Sequence, residues 1–121
     1  MIMKKSRSRD LIKSRLSEES EKICSMTDSG GIGRELRKFS ENLRAAFVLD
    51  WIPEQAEDIY WVLFDGDKIM KIEISRLKSL DVVVSKAEFI GIEEFKKYRN
   101  TRRVRERLDV ALELMEESGL L

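Results

Sequence analysis

The chain has 121 residues, room for one hydrophobic core and no more, because domains cluster near about 100 to 150 residues and small ones bury proportionally less surface. Charged residues make up 38% and apolar ones 42%, which excludes a disordered chain and predicts a core beneath a heavily ionised surface. Lys plus Arg and Asp plus Glu each number 23, so a uniformly basic nucleic-acid binder and a uniformly acidic mimic of one are both excluded.

Residues 1–9 read as a mobile basic tail ahead of a single domain over 10–121. The spacing of Ile12, Leu16 and Ile23 predicts a weakly amphipathic helix from Asp10 to Cys24. Three glycines among Gly30-Gly31-Ile32-Gly33 penalise any regular element, so 28–33 reads as a linker. From Arg34, the positions Leu36, Phe39, Leu43, Ala46 and Phe47 recur at intervals of three and four and predict a second helix to about Phe47. Val48 to Ile52 either finishes that helix or begins a strand, and Pro53 stops a helix there.

Ile59-Tyr60-Trp61-Val62-Leu63-Phe64 and Lys68-Ile69-Met70-Lys71-Ile72-Glu73-Ile74 flank Asp65-Gly66-Asp67 and predict a hairpin over 59–74. A two-residue Asp65-Gly66 loop pairs Phe64 with Asp67, Trp61 with Met70 and Ile59 with Ile72. It sets Ile59, Trp61, Leu63, Met70, Ile72 and Ile74 on one face, and leaves Tyr60, Val62 and Phe64 on a mixed second face with Lys71 and Glu73. A third strand is expected over 81–90, from Val82-Val83-Val84 through Phe89 and Ile90 to Gly91. From Ile92 to Ser118 the chain reads as helix, broken near Asn100, which is expected to cap a helix starting at Thr101 with the stripe Val104, Leu108, Ala111, Leu112 and Met115. Gly119 stops it. The fold class is α+β: N-terminal helices, a three-stranded antiparallel meander, and a long C-terminal helix packed on the Ile59/Trp61/Ile72 face.

Charge is segregated along this order. Lys4, Lys5, Arg7, Arg9, Lys13 and Arg15 stand against Asp10 alone, and Lys96, Lys97, Arg99, Arg102, Arg103, Arg105 and Arg107 against Glu106 alone. Between Asp50 and Asp67 every charge is acidic. Such segregation steers partners even at zero net charge.

Catalytic chemistry has few carriers here. Histidine is absent, which removes the usual general base of Ser-His-Asp and Cys-His hydrolases and the commonest zinc ligand. Cys24, the single cysteine, has neither a histidine nor a second thiol and reads as a structural residue in a reducing compartment. The glycine run follows no strand and lacks a P-loop ending, so it reads as a connector and not a phosphate cradle. Asp50, Glu54, Glu57, Asp58, Asp65 and Asp67 match no calcium-loop spacing; no metal and no cofactor are expected. With no apolar run of signal-peptide or membrane-span length, the cytoplasm is expected and a membrane is not.

Two candidate binding segments remain. Asp50, Trp51, Glu54, Glu57, Asp58 and Tyr60 combine carboxylates that steer with aromatics that anchor, a composition suited to docking a basic protein. Lys96, Lys97, Tyr98, Arg99, Arg102, Arg103 and Arg105 suit an acidic partner or nucleic acid, with Tyr98 placed to stack on a base. Bases at the start of the last helix and Glu113, Glu116 and Glu117 near its end oppose its macrodipole, a pattern that costs stability and hints at another use.

The expected function is therefore that of a small non-catalytic binding protein acting on a protein partner, in the general manner of antitoxin, immunity or regulatory proteins. Nucleic-acid binding through 96–107 is the alternative. In element order alone the chain resembles small ribonuclease toxins of the RelE type, and that resemblance implies a histidine-free enzyme working with Arg, Lys and Tyr. A homodimer through an uncovered Tyr60/Val62/Phe64 face is a further expectation.

Overall fold

A computed structural model of the protein describes residues 2–27, 31–75 and 83–121, and the side chains of 8–27, 31–75 and 86–121. The order is α1 (Ile2–Cys24), α2 (Ile32–Arg37), β1 (Ala46–Pro53), β2 (Glu57–Phe64), β3 (Lys68–Ser75), β4 (Val83–Ile90), α3 (Ile92–Tyr98) and α4 (Arg102–Glu117). The strands form one antiparallel sheet in the order β1-β2-β3-β4. The fold is α+β with a C-terminal helix, and it has one more strand than the sequence predicts.

The additional strand is β1. The three-and-four spacing of Leu36, Phe39, Leu43, Ala46 and Phe47 mimics a helix, but α2 stops at Arg37 and a turn follows. Asp65 ties that turn down: its carboxylate accepts from the Ser40 hydroxyl and from the amides of Arg44 at 2.8 Å and Ala45 at 3.1 Å. Ala46-Phe47-Val48 then pairs with the equally apolar β2, and tertiary burial overrides the local period.

The hairpin register also differs. Phe64 pairs with Lys68, Trp61 with Lys71 and Ile59 with Glu73, because the loop has three residues, with Asp65 at φ 44° and Gly66 at φ 115°. A one-residue slip exchanges faces. Met70, Ile72 and Ile74 therefore join Tyr60, Val62 and Phe64, while Ile69 joins Ile59, Trp61 and Leu63.

The single core expected from the length is divided by the sheet into two apolar clusters, one on each face. Val104, Leu108, Ala111 and Met115 of α4, Phe95 of α3 and Leu16 of α1 cover Phe47, Leu49, Ile59, Trp61, Leu63 and Ile69. Ile23, Ile32, Leu36 and Leu43 cover Ala46, Val62, Phe64, Met70, Ile72 and Ile74. The Tyr60/Val62/Phe64 face is thus not open for dimerisation: Val62 and Phe64 are fully buried and Tyr60 is half-buried.

The C-terminal helical segment is broken where expected. The cap is Thr101 instead of Asn100, its side chain accepting from the Val104 amide at 3.2 Å. Gly119, at φ 74°, closes α4 with bonds from its own amide to the Glu116 carbonyl and from the Leu120 amide to that of Met115. Helix α1 takes in residues 2–9, read from sequence as a tail, and ends at Met26 in the left-handed conformation, φ 59°. The expected third strand is β4, starting at Val83; 81–82 lie outside the described residues, as do 28–30 of the linker, while Ile32 and Gly33 already belong to α2.

Candidate functional site

The charge pattern resolves largely within the molecule. Helices α1 and α4 pack with opposite polarity, so the basic first half of α1 lies along the acidic second half of α4. Arg9 reaches Glu113 at 2.5 Å, and Lys13 reaches Glu117 at 2.7 Å and Glu113 at 3.9 Å. The hydrogen bond to Glu117 raises the Lys13 ammonium above its ordinary value. These pairs are exposed and worth little individually. They do account for the acids that burden the end of α4: Glu113 and Glu117 answer α1.

Nearer the middle of α4, Arg107 turns onto the edge of the sheet. It donates to the Val48 carbonyl through Nε at 3.1 Å and Nη2 at 2.7 Å, and lies 3.5 Å from Glu19 of α1. Burial lowers the Arg107 guanidinium, and burial raises the Glu19 carboxyl against the opposing pull of Arg107 and of the Val48 amide. Ser20 accepts from the Ala46 amide at 3.1 Å. Glu19, Ser20 and Arg107 thus satisfy backbone groups of β1 that no strand pairs, and they close that edge. None was among the predicted site residues. The signal lay in the mirrored charge order of the two helices, bases before acids in both, which suits an antiparallel pair.

The acidic and basic segments meet at one point. A bulge between Val48 and Asp50 leaves Leu49 without a partner and turns Asp50 to the face it shares with Trp61. There Arg99 grips Asp50 Oδ2 with Nη2 at 2.5 Å and Nε at 2.7 Å, while Oδ1 accepts from the Trp51 amide at 3.0 Å. The Arg99 guanidinium also lies 4.8 Å from the centre of the Trp61 ring, and Lys71 Nζ 5.7 Å from it. Asp50 and Arg99, both predicted as surface contacts, serve this internal junction.

The rest of the acidic segment forms the tip of the β1–β2 hairpin, closed by the Glu54 amide donating to the Glu57 carbonyl at 2.7 Å. Trp51, 51% exposed, stacks on Tyr60 with centroids 6.2 Å apart, and its Nε1 donates to Asp58 at 3.2 Å. Glu54 is exposed and Glu57 half-buried. The tip therefore brings Trp51, Glu54, Glu57, Asp58 and Tyr60 together, with Asp58 and Tyr60 already engaged by Trp51.

The rest of the basic segment lies at the corner between α3 and α4. Lys96 stands 3.6 Å from Glu93. Lys97, Arg102, Arg103 and Arg105 are exposed and their side chains have no hydrogen bond or ion pair among the described residues, and Tyr98 beside them is 75% exposed. Arg103 further faces the like charge of Arg107. At the start of α4 these cations add to the positive end of the helix dipole, so the corner is suited to an anionic surface.

Other chemistry finds no assembly. Among the described residues no group of three or more His, Cys, Asp or Glu is placed to hold a metal ion, and no helix is long and apolar enough to cross a membrane. Burial raises the half-buried Cys24 thiol, which disfavours the thiolate a nucleophile needs. Comparison with protein-family models, curated proteins and solved structures finds no match to this chain.

Proposed function

We propose that the chain is a small non-catalytic binding protein that acts on a protein partner with an acidic surface, and that it docks through the α3–α4 corner: Lys97, Tyr98, Arg102, Arg103 and Arg105. One contrast within a single helix carries this reading. Glu113 and Glu117 are answered by Arg9 and Lys13, whereas Arg102, Arg103 and Arg105 have no counter-ion among the described residues. Like charges held together against a helix dipole cost stability, and an acidic partner recovers it. Arg and Tyr are also the side chains that dominate protein interfaces. The hairpin tip supplies less, since Asp50 is buried and Asp58 is bound to Trp51. The reading assigns the protein to the cytoplasm, in keeping with the unpaired Cys24 thiol, and to the company of small regulatory, immunity or antitoxin-like binders.

A nucleic acid on the same surface is the second reading, favoured by the exposed Tyr98 ring, which offers a base a face to stack on. Zero net charge and the neighbouring Glu93, Glu94 and Glu106 weigh against a phosphate backbone there. Purification of the tagged protein from its own cells at low salt, with and without nuclease, separates the two. A stoichiometric acidic protein that survives nuclease supports the first reading. Nucleic acid that disappears with nuclease, and is lost steeply between low and physiological salt, replaces it with the second. No companion at all contradicts both.

A further inference from the structure

The two edges of the sheet are treated differently. Along β1, Ser20 accepts from the Ala46 amide, and Arg107 donates twice to the Val48 carbonyl. Along β4 no described residue binds the outer backbone, and no described strand lies beyond it. An open edge is a template for a further strand. Its charges are of opposite sign: Lys86 and Glu88 lie on one face, and Phe89 on the other is 57% exposed. Phe39 meets Phe89 edge to face at 5.4 Å and is itself exposed, so an aromatic pair flanks the open edge.

We propose that β4 pairs antiparallel with β4 of a second copy of this chain about a two-fold axis through Ala87, joining two four-stranded sheets into one continuous sheet. Charge complementarity within the strand selects this partner and this register. With Ala87 opposite its own copy, Lys86 of each chain stands opposite Glu88 of the other, and the pair forms twice. Moving the axis one residue either way sets Lys86 against Lys86 or Glu88 against Glu88, so the charges that favour this register oppose its neighbours. Within one chain Lys86 and Glu88 are 3.8 Å apart, a loose contact that the dimer replaces with two cross-strand pairs. The second copy also lies beside Phe89 and Phe39. This interface is independent of the α3–α4 corner.

Sedimentation equilibrium on the full chain tests it with Lys86→Glu, Glu88→Lys, the double variant, and an equimolar mixture of the two single variants. The wild type and the double variant are expected to dimerise. Each single variant, with like charges opposed twice, is expected to associate about tenfold more weakly or worse, and the mixture to recover the dimer as a heterodimer. All the substituted side chains are exposed, and recovery in the mixture shows that each variant is folded. A wild type that stays monomeric at its highest soluble concentration, a dimer indifferent to the single reversals, or a mixture that does not re-associate each overturns the proposal.

Discussion

Arg99 holds Asp50 at 2.5 Å across the junction of the basic and acidic segments, with Asp50 5% exposed and Arg99 27%. The two partners are therefore not equivalent to remove. Arg99→Ala leaves a buried carboxylate with one remaining hydrogen bond among the described residues, from the Trp51 amide, and uncovers Trp61, and is expected to cost about 3 kcal/mol or more. Asp50→Ala leaves a guanidinium that can turn toward water, and about 1 to 2 kcal/mol is expected. Urea unfolding of the two variants checks the order; equal costs, or the reverse order, contradict this account of the junction.

Glu19 sets a pH dependence. Its carboxyl is raised in the folded protein, so between the ordinary carboxylate value of 4.5 and that raised value the folded state holds more protons than the unfolded one. Stability from this group is complete below 4.5 and is lost as pH rises through the folded value. Glu19→Gln keeps an acceptor for Arg107 and does not titrate. Its stability relative to wild type is thus expected to improve from pH 4 to pH 7 in paired unfolding curves, and a relative loss over that range contradicts the assignment.

Three positions in the left-handed region give a graded series. A methyl group at Gly66 meets the Leu120 carbonyl oxygen at 2.9 Å with φ at 115°, whereas at Gly119 it meets open space. Gly66→Ala is expected to cost about 2 kcal/mol and Gly119→Ala about 1 kcal/mol. Met26, exposed at φ 59°, terminates α1 with the Thr27 amide bonded to the Lys22 carbonyl, where glycine is the favoured residue. Met26→Gly is expected to gain about 0.5 to 1 kcal/mol. Thermal unfolding of the three checks both the sign and the order.

The α3–α4 corner is expected to be dispensable for folding. Arg102→Ala with Arg103→Ala and Arg105→Ala removes cations from the positive end of α4 and is expected to leave stability unchanged or raise it by about 1 kcal/mol. A loss of more than that amount shows that the three side chains serve the fold.

Much of this was legible from local chemistry. Asp65-Gly66 announced a turn, Gly119 a helix stop, and the stripe Val104, Leu108, Ala111, Met115 the packed face of α4. What was illegible depended on partners distant in sequence. The loop length, and with it the face of Met70 and Ile72, follows from Asp65 binding Ser40, Arg44 and Ala45. The start of strand β1 was hidden because Leu43 and Ala46 fit a helical period while their burial comes from the sheet, although Val48 to Ile52 already admitted a strand. Asp50 read as an exposed acid because a bulge leaves no trace in periodicity. Among the site residues, composition identified the cations, and only the packing of α1 on α4 and of Arg99 on Asp50 showed which are neutralised.

Side-by-side capture from native cells decides whether the α3–α4 corner docks the partner. The baits are the wild type, the Arg102/Arg103/Arg105 triple alanine variant and Trp51→Ala, each first shown to be folded. One nuclease-resistant acidic companion is expected, retained by wild type and Trp51→Ala and lost by the triple variant. A companion kept by the triple variant and lost with Trp51→Ala contradicts it and moves the docking surface to the β1–β2 hairpin.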